Sequence, residues 1–200
     1  MEDVKLANPA VLGLTCFGMT TVLLNLHNVG LFKMDAPILA MGLFLGGAVQ
    51  IIAGIFEWRK GNTFAMTAFS AYGAFWLTLV FILLAKPYLM TKLALEVSNK
   101  GLAWYLLVWG IFTILMFFGT LKINRGLQVV FFTLIFLFLL LAIGFGWGSS
   151  GIIKTAGGIG IFTGAAAIYV AMAELLNEMY GKVVMPIGPA KNNYKNPEDL

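Results

Sequence analysis

The sequence predicts an all-α membrane protein with six transmembrane helices, and three observations carry that prediction. Hydrophobic residues make up 60% of the chain and charged residues only 11%, with a mean hydropathy of +0.90. A soluble domain carries about 25% charged residues to keep its surface wet, so the solvent of this chain is lipid. The apolar residues fall into six runs, each near the roughly 20 residues needed to cross a hydrocarbon core of about 30 Å. An open sheet would leave unpaired backbone groups in lipid at several kcal/mol each, so runs of this length are helices. Two hundred residues divided this way leave no room for a soluble enzyme module.

The spans fall near 9–29, 36–56, 64–86, 102–121, 127–147 and 155–176. The first opens on "NPAVLGL", where Asn8 is the N-cap and Pro9 occupies the first helical position, which needs no amide hydrogen. Along this helix Phe17, Thr21, Asn25 and Asn28 share a face, with Gly13 below them. An amide facing lipid is costly, so that face points into the protein or into water. After "KMDAP" the second helix carries Gly42, Gly46, Gln50 and Gly54 at a strict spacing of four, a small-residue packing stripe with one amide in it. "EWRKGN" leads to the third, where Ala65, Ala68, Tyr72 and Trp76 share a face. Tyr72 and Trp76 lie too deep in the span for an interfacial aromatic belt. "KPYLMTKLALEVSNKG" reads as the one long loop before the fourth helix, and "KINRG" separates the fourth from the fifth. Beyond "WGSSGIIK" the sixth presents Gly160, Gly164, Ala167, Ala171, Glu174 and Glu178 as a smooth stripe ending in two carboxylates. The chain therefore divides into a transmembrane domain, 1–181, and a polar tail, 182–200, expected to be extended or mobile.

An even number of spans puts both termini on one side. That side holds Lys5, Arg59, Lys60, Lys122, Arg125, Lys182, Lys191 and Lys195, against Lys33, Lys86, Lys92, Lys100 and Lys154 on the other. The positive-inside rule makes the termini cytoplasmic and the host the cell membrane. No basic cluster is interleaved with aromatics, so the net charge of +4 does not indicate nucleic-acid binding. Cys16 and His27 are each alone, which excludes an intrachain disulfide and a thiolate or His-rich metal centre. "MEDVKL" and the run after it lack the features of a cleaved signal peptide.

No charged residue falls in the middle of a span; Glu57 and Glu174 sit at the ends. There is no nucleotide loop, no paired mid-span carboxylate and no nucleophile beside a base, so no enzyme, cofactor or metal is expected. A path lined by hydroxyls, amides and aromatics suits a small polar solute better than a bare inorganic ion.

Five stretches then resemble one family in order: "NPAVLGL", "FGMTTVLLNLHNVG", "GNTFAMTAFSAYGAFWLTLV", "FFGTLK" and "AMAELLNEMYGKVVMPIG". They are similar to the acetate uptake transporters, whose signature is NPAPLGL; Val11 stands where that signature has Pro. The resemblance implies a six-helix protomer with its own pore, assembled as a hexameric ring. It also implies a constriction of Phe, Tyr and Leu, matching Phe17, Tyr72 and Leu134, with a small residue matching Ala167 near it. Helical faces alone reach Phe17, Tyr72 and Ala167 but give no reason to choose Leu134. On this basis the expected function is a channel or transporter for acetate and other small monocarboxylates, including succinate, and linked to protons because a neutral lining makes bare charge costly to admit. Thr21, Asn25, Gln50 and Trp76 are expected to replace water around the carboxylate, and the Tyr72 hydroxyl to bond it. The alternative is a urea- or amide-type small-solute channel. A third reading is a membrane interaction protein whose glycine stripes serve assembly alone.

Overall fold

The computed structural model describes residues 6–93 and 97–190, and for 85–93 the backbone alone. Six helices are long and apolar enough to span a bilayer: α1 (Pro9–Asn28), α2 (Ala36–Arg59), α3 (Thr63–Leu93), α4 (Asn99–Thr120), α5 (Arg125–Trp147) and α6 (Ser150–Tyr180). Their ends are set by local chemistry. Asn8 caps α1 by accepting from the Ala10 amide, and Ser98, Asn124 and Ser149 do the same for α4, α5 and α6 through the Gly101, Leu127 and Ile152 amides. Gly148 (φ 67°) and Gly181 (φ 63°) end α5 and α6 in the left-handed conformation, which glycine adopts without steric cost.

Two of the connections expected from the sequence are shorter than they read. The helix of α3 continues through "KPYLMTK" to Leu93, and α6 begins at Ser150, so "SGIIK" is helix rather than loop. Polar residues at a bilayer surface do not by themselves stop a helix. Within α2, residues Met41–Val49 form a π-helix between two α-helical ends. An α-helix overshoots a full turn by about 40° every four residues, whereas the wider π turn, bonded i to i+5, falls short of one. Joining the two keeps Gly42, Gly46 and Gln50 on one buried side.

The helices close into a bundle with two kinds of seam. α1 packs on α6 and α2, α2 on α3, α4 on α5, and α5 on α6. Where α1 meets α6 the backbones nearly touch: a Cβ on Gly18 would lie 2.7 Å from the Gly164 carbonyl oxygen, and one on Gly164 equally close to that of Gly18. Gly46 is similarly filled, by Thr20 and Trp76. Both glycine stripes therefore serve packing within the chain, and they cease to be an argument for contacts between subunits. The opposite seam is built of rings. Phe75 of α3 stacks on Tyr105 of α4 and meets Trp109 and Phe138 edge-on, at centroid separations of 5.8, 5.3 and 5.2 Å.

Polarity is inverted relative to a soluble bundle. Phe44, Phe81, Leu115, Phe136 and Phe162 project outward, while Thr21, Asn25, Gln50 and Thr113 are buried. Exposed Trp58, Trp104, Trp147 and Tyr180 stand near helix ends, the level at which aromatic belts form.

Candidate functional site

A cavity of about 360 Å³ opens at the end of the bundle that carries the start of α1 and the end of α6. Asn8, Asn62, Glu174 and Ile187 line its mouth; Phe17, Gln50, Tyr72 and Leu134 line its depth. Seven helical residues separate Ala10 from Phe17, so the cavity reaches about 10 Å into the bundle. Its floor is aromatic and apolar. Phe17 and Tyr72 lie 5.9 Å apart between centroids, and Phe131 of α5 closes on Tyr72 at 6.0 Å. Four of the residues expected to form the path, Phe17, Gln50, Tyr72 and Leu134, thus converge on one cavity.

The other four do not line it. Thr21, Asn25, Trp76 and Ala167 are all buried, in the bundle beyond this floor or beside it. Asn25 is consumed by packing: its amide donates to the Thr21 carbonyl, it accepts from Asn28, and its side chain fills the groove at Gly160. Thr21 and Trp76 are different. Thr20, Thr113, Thr120 and Thr163 each donate to a carbonyl three or four residues back, but the Thr21 hydroxyl has no partner, and neither has the Trp76 indole nitrogen. The Gln50 side-chain oxygen is also unpaired. Buried polar groups are nearly always satisfied, so three unpaired groups on α1, α2 and α3 amount to hydrogen-bonding capacity held in reserve inside the bundle.

Tyr72 does not hold its hydroxyl in reserve. The Thr113 hydroxyl donates to the Trp109 carbonyl (2.7 Å), so the 2.9 Å contact between Tyr72 and Thr113 is a bond from the Tyr72 hydroxyl to Thr113. Tyr72 lines the cavity while its hydroxyl proton is directed to Thr113 of α4.

The mouth is where reading by helical spacing fell short. Asn8 joins three elements: its oxygen accepts from the Ala10 amide and from Lys60 (3.0 Å), and its amide donates to Glu174 (2.9 Å). Glu57, at the end of α2, is fully buried, and neither carboxylate oxygen reaches a partner in hydrogen-bonding geometry; Lys60, Asn62 and the Ala10 amide surround it. The sequence reads Asn8 only as a cap, and Asn62 and Ile187, though inside stretches that resemble the family, are singled out by no helical spacing, one lying in a turn and one in the tail. No group of three His, Cys, Asp or Glu side chains that could hold a metal ion occurs among the described residues.

Comparison with known proteins supplies the context. Residues 1–190 match the GPR1/FUN34/yaaH family. The succinate-acetate/proton symporter SatP of Escherichia coli (strain K12) is 59% identical over 190 residues, covering 94% of this chain and 98% of its own. Acetate permease A of Emericella nidulans is 33% identical, over 94% of this chain and 67% of its own. The solved structure of the bacterial acetate channel SatP superposes with a TM-score of 0.86 at 60% identity, covering 92% of this chain and all of that one.

Proposed function

The chain belongs to the GPR1/FUN34/yaaH family, and on that premise we propose that it carries acetate and other small carboxylates, succinate among them, across the cell membrane through its own six-helix bundle. The observation that carries this reading is the cavity, a recess that narrows onto Phe17, Tyr72 and Leu134 with the amide of Gln50 at the same depth. A carboxylate leaving water needs hydrogen-bond donors, and an acetate methyl needs an apolar wall. The Thr21 hydroxyl and the Trp76 indole offer the first, the unpaired Gln50 oxygen can accept from a protonated acid, and the aromatic floor offers the apolar wall. In our reading Phe17, Tyr72 and Leu134 exclude large or hydrated solutes, with Ala167 behind them. Asn25 acts by holding α1 against α6 rather than by touching substrate.

Because the floor carries no charge, the substrate crosses it with a proton or as the neutral acid. The reading assigns the chain transport rather than catalysis. It also places both termini in the cytoplasm, so that the cavity faces inward, and assembles six protomers into a ring. Purified protein in liposomes, given labelled acetate or labelled urea, tests it: saturable acetate uptake competed by succinate is the expected result. Urea uptake without acetate uptake would assign the pore to the alternative class.

A further inference from the structure

The tail after Tyr180, expected to be extended or mobile, is tied to the bundle through Ala190. Seven hydrogen bonds hold it. Asn177 of α6 accepts from the Val184 and Met185 amides (2.6 and 2.9 Å) and donates to the Met185 carbonyl (2.8 Å), and the Tyr169 hydroxyl donates to the Pro186 carbonyl. The Arg125 and Gly126 amides, which begin α5 and have no partner within their own helix, donate to the Gly188 and Ile187 carbonyls (2.7 and 3.0 Å). The Ala190 amide donates back to Ile123. Pro186 and Pro189 narrow the backbone on either side, and Gly188 turns the chain at φ 62°, where a Cβ would lie 2.9 Å from Arg125. The result is a strap across the end of the bundle, with Ile187 lining the cavity together with Ile123 and Leu127.

Resting on the transport reading above, we propose that Ile187 is a specificity-determining residue at the mouth of the path, an apolar filter in series with the Phe17–Tyr72–Leu134 floor. A strap needed only to cap α5 would require carbonyls at 187 and 188 and nothing of the side chain between them. Here Ile187 lines the same cavity as the polar residues Asn8, Asn62 and Glu174, so a solute entering there meets an apolar residue as well as hydrogen-bonding ones. Half-buried Ile187 is open enough to be reached by a small reagent.

Cys16 is the one cysteine of the chain and is buried, so Cys16→Ala provides a background for labelling. In it, Ile187→Cys is reacted in detergent with a negatively charged methanethiosulfonate, checked by mass and by size exclusion, and reconstituted for acetate uptake. The expected result is a fall of roughly tenfold or more, as a charged group is fixed in a narrow apolar passage. Val183→Cys, on the exposed part of the strap, reacts without loss of uptake. Separately, Ile187→Ala raises lactate and succinate uptake relative to acetate by several-fold. Complete modification of Ile187→Cys with uptake intact, or failure of that cysteine to react at all, overturns the proposal and leaves the transport reading standing. Absence of acetate uptake in the unmodified protein overturns both.

Discussion

Replacing Tyr72 with Phe removes one oxygen from the floor of the cavity and keeps every ring contact. The structure fixes what that oxygen does. It is buried, it lies 2.9 Å from the Thr113 hydroxyl, and it must donate, because the proton of Thr113 already points to the Trp109 carbonyl. Deleting it costs one neutral hydrogen bond, about 0.5–1.5 kcal/mol of stability, and leaves Thr113 with its own donor still satisfied. The packing of Tyr72 on Phe17, Phe112 and Phe131 survives in the Phe variant. Acetate uptake should therefore stay within about twofold of the parent, since no substrate contact is lost. Had the hydroxyl bonded a carboxylate directly, the loss would be about 1.5–3 kcal/mol, or about ten- to a hundredfold in apparent affinity. Unfolding in detergent measures the first quantity and liposome uptake the second. Thr113→Val supplies the other edge of a double-mutant cycle, whose coupling should be about 1 kcal/mol in stability. A Tyr72→Phe protein that is as stable as the parent but takes up acetate tenfold more slowly would refute this reasoning and return the hydroxyl to the substrate.

Leu134→Ala removes three heavy atoms from a fully buried position at the cavity floor; acetate uptake should persist while lactate and succinate gain relative to it. Unchanged size selectivity would move the gate elsewhere. Gly164→Ala sets a methyl 2.7 Å from a backbone carbonyl that cannot rotate away, so the variant should lose about 1–3 kcal/mol of stability. Gly158→Ala, with nothing within 4 Å of the added carbon, should lose none. For topology, single cysteines near Lys100 and at Lys182 in whole cells should be labelled by an impermeant reagent only at the first; the reverse pattern inverts the orientation. Native mass spectrometry in gentle detergent should release six protomers together, and monomers alone would count against the ring.

The spans were legible because lipid allows so few solutions: a run of apolar residues this long can only be a helix, and "NPAVLGL" announces a cap in its first two letters. Faces were legible wherever helical spacing sorts polar from apolar residues, as it does for Phe17, Tyr72 and Gln50. Leu134 was not, since α5 is apolar all round and spacing cannot say which leucine faces inward; the family resemblance supplied it. The π-helical stretch of α2 escaped because backbone hydrogen-bond register leaves no mark on residue identity beyond the glycines themselves. The strap escaped for another reason. "VVMPIGPA" has neither period nor charge, and its order comes from Asn177, Tyr169 and the first amides of α5, partners that sequence alone does not bring near it.

The close seam between α1 and α6 joins two helices separated in the chain by the other four described spans. While the chain is being synthesised, α1 must enter the membrane with Gly18 uncovered and the Asn25 amide lacking the groove at Gly160 that will receive it. In the folded bundle that place is taken by Gly160 and Gly164 of α6, whose lack of a Cβ lets the two helices approach so near. Closure of the bundle therefore waits until α6 is made, and the strap follows directly behind it. A chain that stops short of Ser150 leaves Gly18 and Asn25 of α1 without the surface they pack against.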